Sequence, residues 1–195
     1  IHLFHIDDFN GNIEAYQLVA LFGIKQNVDL IKKLENSQVP LLVFELNKTG
    51  LKEKLSTAIR FTSKGGLEDV LAIKNKQFSK FTCSDKLLNL INEAPPLSTP
   101  FGRYDLSNAT EFILQQKIGM NITNKPIIAL SQQEGKKMAY VTAEGFWKWK
   151  LYDYSHNNSN ETFDELFEKL TQYLVLQEDK SRFRIDYRKQ FTEDE

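Results

Sequence analysis

LVALFGIKQNVDLIKKLENSQVPLLVFEL, residues 18–46, is the stretch that sets the fold class. Leu18-Val19-Ala20-Leu21-Phe22-Gly23 is a short unbroken apolar run, the pattern of a strand buried on both faces. Asn27 offers an N-cap, and Val28, Ile31 and Leu34, spaced three apart, predict a helix ending near Ser37. Pro40 then opens a second buried-strand run, Leu41-Leu42-Val43-Phe44-Glu45-Leu46. Strand, helix, strand in this order predicts a parallel pair joined by a right-handed crossover, and so an α/β protein.

Beyond this unit, Asn47-Lys48-Thr49-Gly50 reads as a turn and Leu51 to Ile59 as a short helix. Ser63-Lys64-Gly65-Gly66 reads as a flexible connection. Val70-Leu71-Ala72-Ile73 and Phe78-Ser79-Lys80-Phe81-Thr82 read as strands, and Ser84 or Asp85 caps a helix over Lys86 to Asn92. The prolines of Ala94-Pro95-Pro96-Leu97-Ser98-Thr99-Pro100 fix φ and remove donors, which predicts an ordered loop. Glu111 to Gln116 is a further apolar-rich segment. Pro126–Ser131 and Met138–Thr142 flank Glu134-Gly135 and predict a hairpin. Thr162-Phe163-Asp164-Glu165 has capping-box form, followed by helical spacing at Phe163, Leu166, Phe167, Leu170, Tyr173 and Leu174. Arg182 to Arg188 alternates apolar and charged residues, as a half-exposed strand does. The acidic Thr192 to Glu195 reads as a frayed end.

The 195 residues suffice for one sizeable core, and the chain reads as a single α/β domain, 1–195. A net charge of −1 argues against nucleic acid as the partner of the whole domain. The single cysteine, Cys83, excludes an internal disulfide and any multi-cysteine zinc site. No apolar run approaches the ~18 residues of a membrane span. The apolar alternation at Ile1-His2-Leu3-Phe4-His5-Ile6 reads as the start of a fragment of a longer protein.

The residues with chemical interest gather at 143–154. Ala143-Glu144-Gly145 turns the Met138–Thr142 strand into Phe146-Trp147-Lys148-Trp149-Lys150-Leu151-Tyr152, which contains both tryptophans. Glu144 at a strand end fits a general base or substrate clamp, with Trp147 and Trp149 walling a pocket. The same residues also read as a glycine turn with the tryptophans packed and the lysines in solvent. Trp147 and Trp149, with Lys148, Lys150, Tyr152 and Tyr154, further fit stacking on a sugar or base. Elsewhere the kit is thin. Cys83 reads as a small buried hydrophobe. No Gly-x-Ser-x-Gly elbow occurs, and Ser79, Ser98 and Ser131 have no identifiable histidine partner. His2 and His5 fall on opposite sides of a strand, and Asp7-Asp8-Phe9-Asn10-Gly11 lacks the later acidic ligands of a calcium loop. Asp8 remains a ligand-binding candidate, and neither a metal nor a cofactor is expected. The sequons at Asn108, Asn121, Asn157 and Asn160 matter only in a eukaryotic secretory setting.

Several segments in this order resemble a known group. They are Asp8-Phe9, Tyr16-Gln17-Leu18-Val19, Pro40-Leu41-Leu42, Asn75 to Phe81, Pro95 to Gly102, Gln116-Lys117-Ile118-Gly119, Ala143 to Leu151, Gln172-Tyr173-Leu174 and Asp179 to Arg184. Together they resemble a region of large, uncharacterised, membrane-anchored proteins of Bacteroidetes, some related to von Willebrand factor A-containing proteins. That region looks like a class I glutamine amidotransferase-like domain. The resemblance implies a flavodoxin-like, doubly wound and mostly parallel sheet, lacking its first strand, with a C-terminal hairpin and helix. Catalytic relatives carry a cysteine on the elbow after a central strand. The matching strand is Leu41–Leu46, yet Asn47-Lys48-Thr49-Gly50 follows it without a cysteine, and no His-x-Glu pair comes later. The expectation is a non-catalytic interaction or scaffolding module of a bacterial envelope protein, in an extracytoplasmic, periplasmic setting. Its expected partners are other domains of the same chain or envelope proteins, with the membrane reached only through segments outside these residues. The alternative is a hydrolase or transferase with an altered site built on Glu144 and Asp8, binding a small polar ligand.

Overall fold

A computed structural model describes residues 1–22, 28–44 and 58–176. Seven strands form one sheet: β1 (Val19–Phe22), β2 (Leu41–Phe44), β3 (Ile59–Lys74), β4 (Leu97–Leu106), β5 (Thr110–Ile118), β6 (Asn121–Gln133) and β7 (Lys136–Val141). Their order across the sheet is β1-β2-β7-β6-β5-β3-β4. Four α-helices accompany them among the described residues: α1 (Val28–Asn36), α2 (Asp85–Glu93), α3 (Phe146–Asn157) and α4 (Glu161–Val175).

The β1–α1–β2 unit is parallel as expected, with Val19 opposite Leu41 and Phe22 opposite Phe44. β7 adds beside β2, also parallel, with Leu41 opposite Met138. Everything beyond β7 is antiparallel. The sheet is therefore mixed, not mostly parallel. The cause is loop length: β5–β6 and β6–β7 are joined by two-residue turns, and a parallel pair needs a long crossover. The expected hairpin at Glu134-Gly135 forms with φ of 50° and 88°, the primed turn that matches strand twist. Its second strand, β7, lies inside the sheet, between β2 and β6.

Strand periodicity divides the core in two. Leu42, Ile128, Leu130, Ala139 and Val141 face one apolar cluster with α2, α3 and α4. Their neighbours Leu41, Val43, Ala129, Met138 and Tyr140 face the other, with Leu34 of α1 and with Ile6, Phe9 and Ile13 of the N-terminal segment. Both faces of the central strands are thus buried, which is why their sequences are unbroken apolar runs.

Other expectations are corrected. Ser63 to Gly66 lies inside β3, where residues 64–66 bulge opposite Phe101 alone, between the Ser63–Gly102 and Leu67–Pro100 pairs. Gly65 and Gly66 take φ of 86° and 80°, so their role is to bend a strand, not to link two elements. Leu97 to Pro100 opens β4 instead of forming a loop. β4 is an edge strand, where a proline leaves no inner ladder bond unmade. Gly102 is required there, since a Cβ would collide with Thr62 O and the Phe61 ring. Phe78 to Thr82 forms no strand and packs Phe78 and Phe81 edge to face. Of the helix expected over Leu51–Ile59, Ile59 begins β3 and residues 51–57 lie outside the described residues. So do Asn27, Asn47 to Gly50, Arg182 to Arg188 and the acidic end.

The capping box at Thr162 does not form either. α4 starts at Glu161, with no side-chain bond at its Asn160 cap. The Phe163 N–H donates to Asp153 Oδ2 at 2.9 Å, and Glu165 serves another helix. It accepts from the Ser84 N–H at 2.9 Å and the Ser84 hydroxyl at 2.5 Å, while Ser84 Oγ caps Leu87 N–H of α2.

Candidate interaction site

The turn from β7 into α3 is fixed by backbone on one side and side chains on the other. Glu144 N–H donates to Ser98 O at 2.8 Å, and Ser98 N–H returns a bond to Glu144 O at 3.0 Å. Gly145 takes φ of 99° immediately before α3, a conformation that only glycine adopts without strain. Lys148 Nζ reaches Pro96 O at 3.3 Å, and the Trp149 indole N–H donates to Pro95 O at 2.8 Å. The Pro95-Pro96 carbonyls, which have no helix or ladder of their own, are thereby used to anchor α3.

The two tryptophans then part company. Trp149 is 1% exposed, with its ring edge-on to Phe146. Trp147 is 64% exposed. Leu151 and Tyr154 follow it at 60% and 56%. Positions 147, 151 and 154 recur at i, i+4 and i+7, so the three lie in one line on the solvent side of the helix. α3 thus carries apolar side chains on two sides, Trp149 and Phe146 facing inward and Trp147, Leu151 and Tyr154 outward. Its exposed flanks carry Lys150, which pairs with Asp164 at 3.4 Å, and His156, stacked on Tyr152.

The helix is held rigidly behind this stripe. Asp153 is 0% exposed, with Oδ1 accepting from Asn157 Nδ2 at 2.7 Å and Oδ2 from the Phe163 N–H. A buried carboxylate satisfied on both oxygens locks α3 to the start of α4. Asp153 was not legible as a structural residue, because its backbone partner lies in another helix.

The expected site residues are not all brought together. Glu144, Trp147 and Trp149 share the β7–α3 corner, on the side of the sheet that α2, α3 and α4 cover. Asp8 is exposed, in a turn closed by Asp8 N–H to His5 O at 3.0 Å. It belongs to the N-terminal segment that packs on the opposite face. Open hollows of about 510 Å³, beside Asn12, Glu14 and Lys33, and about 400 Å³, beside Phe167 and Thr171, are lined by neither Glu144 nor Asp8.

No family model and no curated protein matches the chain. Among solved structures it is similar to the N-terminal domain of mmIFT52, at 11% identity and a TM-score of 0.43, over 81% of this chain and 78% of that one. It is also similar to a glutamine amidotransferase from Thermotoga maritima, at 13% identity and a TM-score of 0.40, over 86% and 78%. Superpositions this loose decide neither family nor activity.

The reactive groups have their own geometry. Cys83 precedes the Ser84 cap of α2, and burial raises its thiol above the ordinary value despite Lys74 and Lys169 nearby. Among the described residues no three His, Cys, Asp or Glu side chains converge as metal ligands, and no helix is long and apolar enough to cross a membrane.

Proposed function

We propose that this chain is a non-catalytic interaction module of a bacterial envelope protein, and that it binds a protein partner through the outer face of α3. The observation that carries the reading is the line Trp147, Leu151, Tyr154, three large apolar side chains left open on a helix anchored on its other side by buried Trp149 and Asp153. Trp and Tyr are the residues that most often anchor protein interfaces. Exposed polar substitutes would cost the fold nothing, so the apolar choice calls for another cause.

The magnitude fits a tethered partner. Burying three such side chains from their half-exposed state yields roughly 1–2 kcal/mol each. That sum only approaches the association cost of about 4–15 kcal/mol. A neighbouring domain of the same chain, held at high effective concentration, makes up the difference, as does an envelope protein confined to the same surface. The three parallel strands with helices on both sides support an amidotransferase-like ancestry, with the 195 residues as one domain.

The test is genetic. Leu151→Glu reproduces the phenotype of deleting the domain while leaving its melting temperature unchanged, and Glu144→Gln has no phenotype. The reverse ranking overturns the reading in favour of chemistry at Glu144.

A further inference from the structure

A second open surface lies at the far end of the antiparallel half. Leu71 of β3 stands opposite Lys117 of β5, and Lys117 stands opposite Ile122 of β6. Following β3 back from Leu71 to Leu67 moves in the direction in which β5 runs, past the Gly119-Met120 turn. Leu67 stands opposite Pro100, next to Phe101 of β4. The β3–β4 bulge and the β5–β6 turn therefore end on the same side of the molecule. There Met120 is 93% exposed, Leu67 62%, Ile122 53% and Phe101 42%.

Cations accompany these side chains. Lys64 Nζ and Lys125 Nζ lie 6.0 and 5.5 Å from the Phe101 ring centroid. Lys117 sits between Leu71 and Ile122 on one face. Of the nearby acids, Glu68 is paired with Lys125 at 2.9 Å and Asp69 accepts from Ser98 Oγ at 2.8 Å. With Lys125 committed to Glu68, Lys64 and Lys117 stand against Asp69 alone.

The geometry points to this end as a docking surface for an anionic lipid bilayer, with the Gly119-Met120 turn entering the headgroup layer and Lys64 and Lys117 at the level of the phosphates. Two adjoining strand ends that are apolar on both faces suit a medium that surrounds them, which a flat protein surface does not. Apolar insertion and lysine attraction then act together, and neither alone holds a protein at a membrane. The surface is distinct from α3 and departs from the expectation that these residues meet the membrane only through other segments.

Sedimentation with phosphatidylcholine vesicles, with and without roughly a third of phosphatidylglycerol, tests it. The chain is expected to partition onto the anionic vesicles only. The double variant Met120→Glu, Ile122→Glu lowers that partition at least tenfold, and so does Lys64→Glu with Lys117→Glu, all with unchanged melting temperature. Salt at about 1 M, where the screening length is ~3 Å, releases the bound protein. No partition onto either vesicle overturns the proposal. So does anionic binding that survives Met120→Glu, Ile122→Glu but is lost in Trp147→Glu, Leu151→Glu.

Discussion

Lys136 and Lys137 are neighbours on β7, and each holds the C-terminal end of a different helix on opposite faces of the sheet. Lys136 Nζ donates to Leu34 O in the last turn of α1. Lys137 Nζ donates to Tyr173 O at 3.1 Å and Leu176 O at 2.7 Å at the end of α4, and lies 4.6 Å from the Tyr173 ring centroid. Adjacent strand residues point to opposite faces, so a Lys-Lys pair after a tight turn serves two helices at once. Each supplies positive charge where helix carbonyls are unsatisfied and the dipole is negative.

The two lysines differ in worth. Lys137→Met strips the donor from two carbonyls and is expected to cost about 1–3 kcal/mol. That lowers the melting temperature by ~2–4 °C per kcal/mol in a chain of this size. Burial depresses the pKa of Lys136, with Glu14 and Glu35 opposing, so its charge is held at a cost that methionine does not incur. Lys136→Met is expected to cost less than Lys137→Met in parallel thermal melts. The opposite order would show that α1, not α4, depends on its lysine.

Base should unfold the protein through two phenols. Burial pushes Tyr104 and Tyr140 up to about 12 from an ordinary value of 10. The folded state thus keeps protons that the unfolded state releases. Its stabilisation is complete below pH 10 and lost as pH rises toward about 12. Ultraviolet titration should show these two of the seven tyrosines ionising together with the loss of circular dichroism. Ionisation of all seven before any unfolding would contradict it.

Acid acts at the α2–α4 junction. Burial alone would raise Glu165, but the bonds from Ser84 Oγ and N–H and from Lys169, 3.0 Å away, hold its pKa below the ordinary value. A depressed carboxyl stabilises the fold above its ordinary pKa and loses that contribution as pH falls through the folded value. Urea melts from neutral to acid pH should therefore show a shallower acid decline in Glu165→Gln than in the parent. Identical declines would mean that the junction contributes nothing.

The two tryptophans give a sharp contrast in stability. Trp149→Ala empties a packed site and strands the Pro95 carbonyl, with an expected loss of about 3–5 kcal/mol. Trp147→Ala changes an exposed position and should stay within ~0.5 kcal/mol. Comparable losses in denaturant melts would place Trp147 in the core and remove the basis for the α3 surface.

Legibility followed the length scale of each interaction. Leu41–Phe44 and Met138–Val141 were readable because burial on both faces leaves an unbroken apolar run. The α3 turn was readable because Gly145 has one conformational reason to be there. The β3–β4 ribbon was not, since Gly65-Gly66 and Pro100 look like breakers unless a bulge and an edge position are known. Nor was the true use of Glu165, whose partner Ser84 lies 81 residues away. Of the candidate site, the 143–154 segment was visible from its composition. Which tryptophan faces solvent depended on the packing of α3 against Phe146 and Pro95, which spacing alone does not fix.

The central claim is that the outer face of α3 meets a protein partner. A photoactivatable benzophenone side chain placed at Leu151, and at exposed Lys76 as a control, tests it in cells producing the chain. The account predicts one discrete crosslinked product at position 151, absent at position 76 and lost when Trp147→Glu and Tyr154→Glu are added. No product at position 151 above the control, from a chain that is folded, would contradict it.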